Sequence, residues 1–431
     1  MKRIRISESG LLLTLGFLAF YVPASYAVPG MISKAWKLYY VMVTVLSVEA
    51  LLFVSGGFRV SRRYLAAVLY FFWFYAGTSL FSENGTLDLY ALIRCVGFVS
   101  LMELAFLTAS RKTVLRAFIV AGAAMSGLQF LTFLIYSDTV GGMRSGSVYI
   151  LAGRVMANST QNWYFLTYDN DSINYFLPVM AALLCYALYY SRRALLWFCL
   201  YSSFVLYMYL TKTAATALIA VSVFLLVSLA VVITCVFPGM RPLLSLFSFR
   251  NAVLAGFLVQ LLPVLIAGND IAYRIAGYFG KKADFTGRGG IWRRSLQYFR
   301  LHPVSGNGIE DVLTRWRKIE QTHCHNMVVE NLYTGGITAL ILLIILFAVM
   351  GPRVRKTADL AAGAVFSAAI LSYLITGSMD WLSSNPIPFS LLFFVSETGC
   401  EERVALGVFP AEKKRIGYRT GSLMIDGAED R

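Results

Sequence analysis

Histidine is scarce in this chain of 431 residues: there are three, His302, His323 and His325. Charge is scarce as well, at 14% of residues against 58% hydrophobic. Soluble domains carry roughly a quarter charged residues, so that class is excluded. The six cysteines (Cys95, Cys185, Cys199, Cys235, Cys324, Cys400) are scattered, four of them inside apolar runs. Their spacing matches neither a disulfide framework nor a metal-ligand pattern. There is no internal repeat. Lys2, Arg3 and Arg5 precede an apolar run at 10–27. No small-residue cleavage site followed by a soluble domain comes after it, so that run is read as a first membrane anchor.

What is present is a series of apolar stretches, each near the roughly 20 residues that cross a bilayer. They fall at 10–28, 38–56, 64–82, 88–109, 115–136, 173–190, 194–211, 213–236, 251–268, 327–350, 358–377 and 385–399, the last interrupted by Pro386 and Pro388. Basic residues alternate between the loops: Arg59/Arg62/Arg63, Arg111/Lys112/Arg116, Arg192/Arg193, Arg241/Arg250 and Arg353/Arg355/Lys356 mark every second one. The short loops between them, Ser82–Leu87 and Ser378–Asn385, carry no Lys or Arg, and Lys34 and Lys37 are the exception to the alternation. The positive-inside rule then predicts about twelve transmembrane helices with both termini cytoplasmic. The expected fold is an all-α polytopic membrane protein, residues 1–400 forming the transmembrane unit and 401–431 a cytoplasmic tail. The net charge of +15 is largely this topology. Its spread over alternate loops argues against nucleic acid as a partner.

Two outer segments are long, 137–172 and 269–326. The second holds all three histidines and ten basic residues against five acids. A basic outer segment runs against the topological bias, and an anionic ligand is its simplest cause. Within it, Thr286–Pro303 reads as a loop followed by an amphipathic helix, with Trp292, Leu296 and Phe299 on one stripe and Arg293, Gln297 and Arg300 on another. Such a helix lies at the interface, its arginines directed at a diphosphate or simply snorkelling to water. Arg288, in a glycine-flanked turn ahead of it, suits a phosphate clamp made with backbone N–H groups.

His323 and His325 alternate around Cys324, so an extended chain points both imidazoles the same way. That pattern admits a metal, but no third or fourth ligand stands at a recognisable spacing, and no metal or other cofactor is expected. His325-Asn326 at a helix start, with Glu330 one turn inside, is the more suggestive set, because an imidazole there can take a proton from a hydroxyl near pH 7. Ionisable residues within spans are costly. Arg94, two turns into the fourth span, is expected to face a cavity. Lys212 at the outer junction of the seventh and eighth spans either snorkels or binds substrate, and Glu49 and Glu103 are expected to find partners on other helices.

The ordered set "GRGGIW", "LHPVSGNG" and "HNMVVENLYTGGI" resembles the signature of the O-antigen ligase and O-antigen polymerase superfamily. The resemblance is closest from about 200 to 345 and topological elsewhere. It implies a GT-C-like architecture with a helical extracytoplasmic loop between spans nine and ten. It also implies a metal-independent inverting glycosyltransferase acting on glycans carried by undecaprenyl diphosphate, at the outer face of the bacterial cytoplasmic membrane. The family's two loop residues map onto Arg288, as a diphosphate ligand, and His325, as the base or acceptor-orienting residue. A family arginine at the outer end of a span corresponds to Lys212, which keeps the charge but loses the bidentate fork. Arg154 and Asp169–Asn174 loosely match a further Arg and an Asp-x-Asn-like element. Arg94, Arg293, Asn326 and Glu330 complete the expected substrate-binding set. The implied function is polymerisation of lipid-linked repeat units into surface polysaccharide. The alternatives are a ligase that transfers polysaccharide to lipid A–core, and a flippase of the same lipid-linked glycan. Implied partners are the undecaprenyl-diphosphate-linked glycan, membrane lipid and a chain-length regulator.

Overall fold

The protein is described by a computed structural model over residues 8–54, 61–82, 85–138, 143, 148–151, 154–157, 163–212, 215–267, 269, 274, 287–351, 360–380 and 385–398. The expected tail 401–431 lies outside the described residues. So do Arg59, Arg353, Arg355 and Lys356 of the basic loops.

Every one of the twelve apolar stretches contains helix. They are α1 (Glu8–Phe20), α2 (Gly30–Val54), α3 (Arg62–Tyr75), α4 (Leu89–Thr108), α5 (Arg111–Ile135), α6 (Ile173–Tyr189), α7 (Arg193–Thr211), α8 (Ala215–Val236), α9 (Phe249–Ile266), α12 (Met327–Val349), α13 (Leu360–Gly377) and α14 (Ser390–Ser396). Between α9 and α12 the outer segment adds α10 (Arg288–Leu301) and α11 (Val312–Ile319), as expected of a helical loop. A two-stranded hairpin, β1 (Val148–Leu151) and β2 (Arg154–Ala157), occupies part of the other outer segment, with Val148 opposite Ala157. Starts are set by side-chain caps: Ser61, Asp88, Ser110, Ser248, Asp311 and Asn326 each accept a backbone N–H from the first turn they open.

Eight of these helices are long and apolar enough to cross a bilayer by length and composition, and the chain is a multi-pass membrane protein. The others are shorter than their apolar stretches suggested. After Pro386 and Pro388, the last stretch is a 3-10 turn (Ile387–Phe389) leading into α14. All of Ile387–Ser396 is buried. A short helix is tolerated there because protein, not lipid, surrounds it. α6 is the central helix, with 94% of its span buried, whereas α2 and α9 at 22% and 28% lie on the perimeter. These outer helices turn residues such as Phe53 and Leu265 outward, where hydrocarbon is the matching solvent.

Contacts separate two ends of the bundle. At one end, Arg63 at the start of α3 donates from Nε to Glu103 at the end of α4 (2.7 Å) and from Nη1 to Ser396 Oγ (2.9 Å), and it pairs with Glu397. Arg111 at the start of α5 lies over the ring of Tyr189 at the end of α6. Glu103 thus has its partner on another helix, while Glu49 is exposed on α2. The opposite end gathers the starts of α4, α6 and α12 and the ends of α1, α7 and α13. That is where the described parts of segments 137–172 and 269–326 pack.

One junction fixes the second outer segment to the bundle. α12 is broken at Gly336, whose φ of 65° and ψ of −167° only glycine adopts readily. The chain after α10 fills the break. Ile337 N donates to Pro303 O (2.9 Å), Asn307 N to Tyr333 O (2.8 Å) and Gly308 N to Thr334 O (2.9 Å). A Cβ on Gly336 lies 2.2 Å from Val304 O, and one on Gly306 lies 2.4 Å from Thr334 O. The glycines of "VSGNG" and "TGG" are therefore matched surfaces of one backbone-to-backbone joint. Ser82 and Thr86 secure it from the α3–α4 loop, with Thr86 N donating to Ile309 O (2.6 Å).

Candidate active site

Cys324, between the two histidines, is the hub of the site. Its N–H donates to Glu330 Oε2 (2.8 Å) and its carbonyl accepts from Trp292 Nε1 (2.9 Å). Its sulfur lies 3.2 Å from Ser295 Oγ and 3.5 Å from Arg315 Nη2. Burial pushes its thiol well up, so it is a packing and hydrogen-bonding group rather than a nucleophile. Through Cys324 the helix that begins at Arg288 is tied to the loop that presents His325. Arg294 adds two bonds to Ile319 O, at 3.2 and 3.0 Å.

Glu330 is fully buried and bonded to Arg315 Nη2 through both oxygens, at 2.6 and 2.7 Å. Burial opposes the Arg315 charge, and the Glu330 carboxylate outweighs it, so the guanidinium stays charged. Asn326 accepts from Val329 N (3.0 Å) as the cap of α12 and donates to Gln260 O (2.8 Å) and Ser378 O (3.1 Å). The side-chain hydrogen bonds of both residues go to the protein, and they act as a frame for the loop rather than as surfaces facing a ligand.

His325 has a φ of 51°, in the left-handed region that costs a non-glycine residue about 1–3 kcal/mol. The two rings end side by side, centroids 3.9 Å apart, facing one carboxylate. His323 Nε2 is 3.4 Å and His325 Nδ1 3.6 Å from Asp380 Oδ1. Asp380 follows α13 and is nearly buried; its other oxygen accepts from Tyr168 Oη at 2.8 Å. Burial opposes its ionisation, but the two imidazoles outweigh it and hold the carboxyl well below its ordinary range. For His325, burial is the main effect and lowers the pKa to about 4; Asp380 pulls it back up, while His323 and Arg288 lower it further. At pH 7 the imidazole is neutral, the state a general base requires.

Arg288 is the first residue of α10, not a residue of the preceding turn. Gly287 before it has φ 87° and provides no side-chain cap. The guanidinium charge therefore sits beside the uncapped positive end of a helix, within electrostatic reach of His325. On the bundle side, Arg94 Nη2 donates to Phe20 O (2.9 Å). The charges of Asp380, His323 and Arg94 all reach Asp171, which also accepts from Thr167 Oγ1 (2.7 Å). One cluster thus contains Arg288, His323, His325, Asp380, Tyr168, Asp171 and Arg94.

The other expected residues fall elsewhere. Lys212 caps α7 and gives its ammonium to Ser137 O, tying down the start of the first outer segment. Arg154 lies on β2. Arg293 is exposed on α10 beside Gln297 and Arg300, while Trp292 is buried, so the expected two-stripe helix is present. Asp380 and Tyr168 were not singled out from sequence. An acid in a short outer loop free of Lys and Arg was the available sign for Asp380, but 55 residues separate it from His325.

A polytopic helical membrane protein with a partly buried His-Asp pair and cationic groups at one end is suited to proton transfer beside a bound anion. Residues 177–344 match the family model described as O-antigen ligase, which supports the resemblance to the O-antigen ligase and polymerase superfamily over that segment. The matched segment contains Lys212, Arg288 and His325, while Arg94, Arg154 and Asp380 lie outside it. No curated protein matches the chain at a significant level.

Proposed function

We propose that the protein is a glycosyltransferase that takes a glycan from a polyprenyl diphosphate carrier and joins it to an acceptor sugar. The preferred reading is polymerisation of undecaprenyl-diphosphate-linked repeat units. The observation that carries the transfer chemistry is the juxtaposition of the His325–Asp380 pair with Arg288. The acceptor hydroxyl attacks the anomeric carbon, and the bond from that carbon to the diphosphate oxygen breaks. The acceptor proton passes to His325, whose Nδ1 faces Asp380, leaving Nε2 for the hydroxyl. Asp380 orients the ring and stabilises the imidazolium that forms. Negative charge growing on the leaving diphosphate is met by Arg288 and the positive end of α10, so no step of this scheme calls for a metal. Direct displacement inverts the anomeric centre. The separation of the site from the basic loops supports an outer-face location in the bacterial cytoplasmic membrane, with both termini cytoplasmic.

Lys212 and the long first outer segment favour a polymerase. The family model's own description favours the second reading, a ligase that moves finished polysaccharide from the same carrier to lipid A–core. Arg288→Ala and His325→Ala are each expected to abolish product while leaving the protein in the membrane. Normal product from both removes the site assignment. A gel of surface and lipid-linked polysaccharide from a deletion strain decides between the readings. Single repeat units at the surface indicate a polymerase; full-length polymer retained on the carrier indicates a ligase.

A further inference from the structure

We propose that His323, His325 and Asp380 form a binding site for a zinc-type divalent transition metal, and that occupancy withdraws His325 from proton transfer. The sequence offered only two histidines one residue apart; the fold brings a third donor from the end of α13. One donor atom from each of the three residues lies within 4.8 Å of the other two. The two nitrogen-to-Oδ1 separations are 3.4 and 3.6 Å. They fit the spacing of about 3.3–3.5 Å between ligand atoms around a tetrahedral zinc with bonds of about 2.0–2.1 Å.

The surroundings are those of a metal site. Thr322 Oγ1 lies 3.0 Å from His323 Nδ1 and orients that ring with Nε2 toward the carboxylate. Tyr168 Oη holds Asp380 Oδ2, which turns Oδ1 to the imidazoles. Two imidazoles and a carboxylate select zinc, copper or nickel over magnesium and calcium. Side-chain exposures of 20%, 14% and 7% leave a path for an ion while keeping the donors in place. Three protein donors leave a fourth position open, and the nearby Arg288 charge favours an anion there, such as hydroxide or a phosphate oxygen. Asp171 on the bundle side offsets part of that positive charge.

The test uses full-length protein purified in detergent and stripped with chelator. Titration with zinc sulfate against a chromophoric zinc indicator is expected to show one ion bound per chain, undisturbed by excess magnesium. His323→Ala and Asp380→Asn are each expected to abolish that binding. Tyr168→Phe, which removes the bond holding the carboxylate, is expected to weaken it about tenfold or more. His302→Ala, at the exposed end of α10, is expected to bind as the parent does. No uptake by the parent chain, or uptake unchanged in both ligand variants that elute as folded protein, overturns the site. Cobalt substituted for zinc is expected to give the intense visible absorption of a tetrahedral ion; the weak bands of an octahedral one overturn the assigned donor set. The inhibitory role rests on the transfer reading: saturating zinc is expected to stop turnover, with recovery on chelation. Zinc bound at full activity overturns that role alone. The binding arms need no turnover, so their failure is distinct from failure of the proposed function.

Discussion

At His325 two effects oppose each other, and burial wins. It lowers the imidazole's pKa from 6.5 to about 4, and the Asp380 charge recovers only part of the difference. Transfer by metal-free protein is therefore expected to hold its rate as pH falls through 6 and 5, and to lose it near pH 4. A free histidine would fail near 6.5. Stability moves in the same direction. The unfolded chain takes up the proton first, so the fold weakens between pH 6.5 and about 4, and rates belong with a check that the protein still elutes as folded. In Asp380→Asn the group that raises the histidine's pKa is gone. The acid limb should move below pH 4, and the rate at pH 7 should fall by about 10²-fold or more as the base weakens and loses its orientation. An unchanged limb and rate in Asp380→Asn would show that the pair does not act as a unit.

Among the elements, the break in α12 is the one that places the site. α10, α11 and the histidine loop depend on the chain at 303–308 lodging against Thr334–Gly336. Gly336→Ala inserts a Cβ 2.2 Å from a carbonyl oxygen, at dihedrals only glycine tolerates. The backbone strain alone is about 1–3 kcal/mol. The variant is expected to lose most product although every proposed catalytic residue is intact, and trypsin should cut faster at Arg293 and Arg300, both already exposed. Gly127→Ala, a helix-interior change with nothing within 4 Å, is the control and should keep its activity. Equal proteolysis in the two variants would remove the joint from this role. The sequence made α10 legible, because Trp292, Leu296 and Phe299 against Arg293, Gln297 and Arg300 report a 3.6-residue period directly. It did not make the joint legible, since a glycine turn and a Gly-Gly pair inside an apolar run carry no sign that they meet. Asp380 was hidden for the same reason, its meaning lying in a contact across 55 residues. Glu330 misled because an acid one turn into a span suggests chemistry, and its partner Arg315 is visible only once α11 folds back.

On the scale of the whole molecule, the two ends of the bundle have different chemistry. One holds a buried arginine between two glutamates, Arg63 with Glu103 and Glu397, at the end that carries the starts of α3, α5, α7 and α9, where the basic residues fall. The other holds the His-Asp cluster and the long loops. The proposed donor fixes which end faces outward, because the proposed reaction takes place on the outer leaflet. That orientation is testable without turnover. A cysteine at Leu313, exposed on α11, should react with a membrane-impermeant maleimide in intact spheroplasts. A cysteine at Lys112, exposed at the start of α5, should react only after permeabilisation, with the parent chain run alongside to subtract its own cysteines. The opposite pattern puts Arg288 and His325 on the cytoplasmic side. Transfer at the outer leaflet would then be impossible, and the His-Asp pair would need a substrate presented from within the cell.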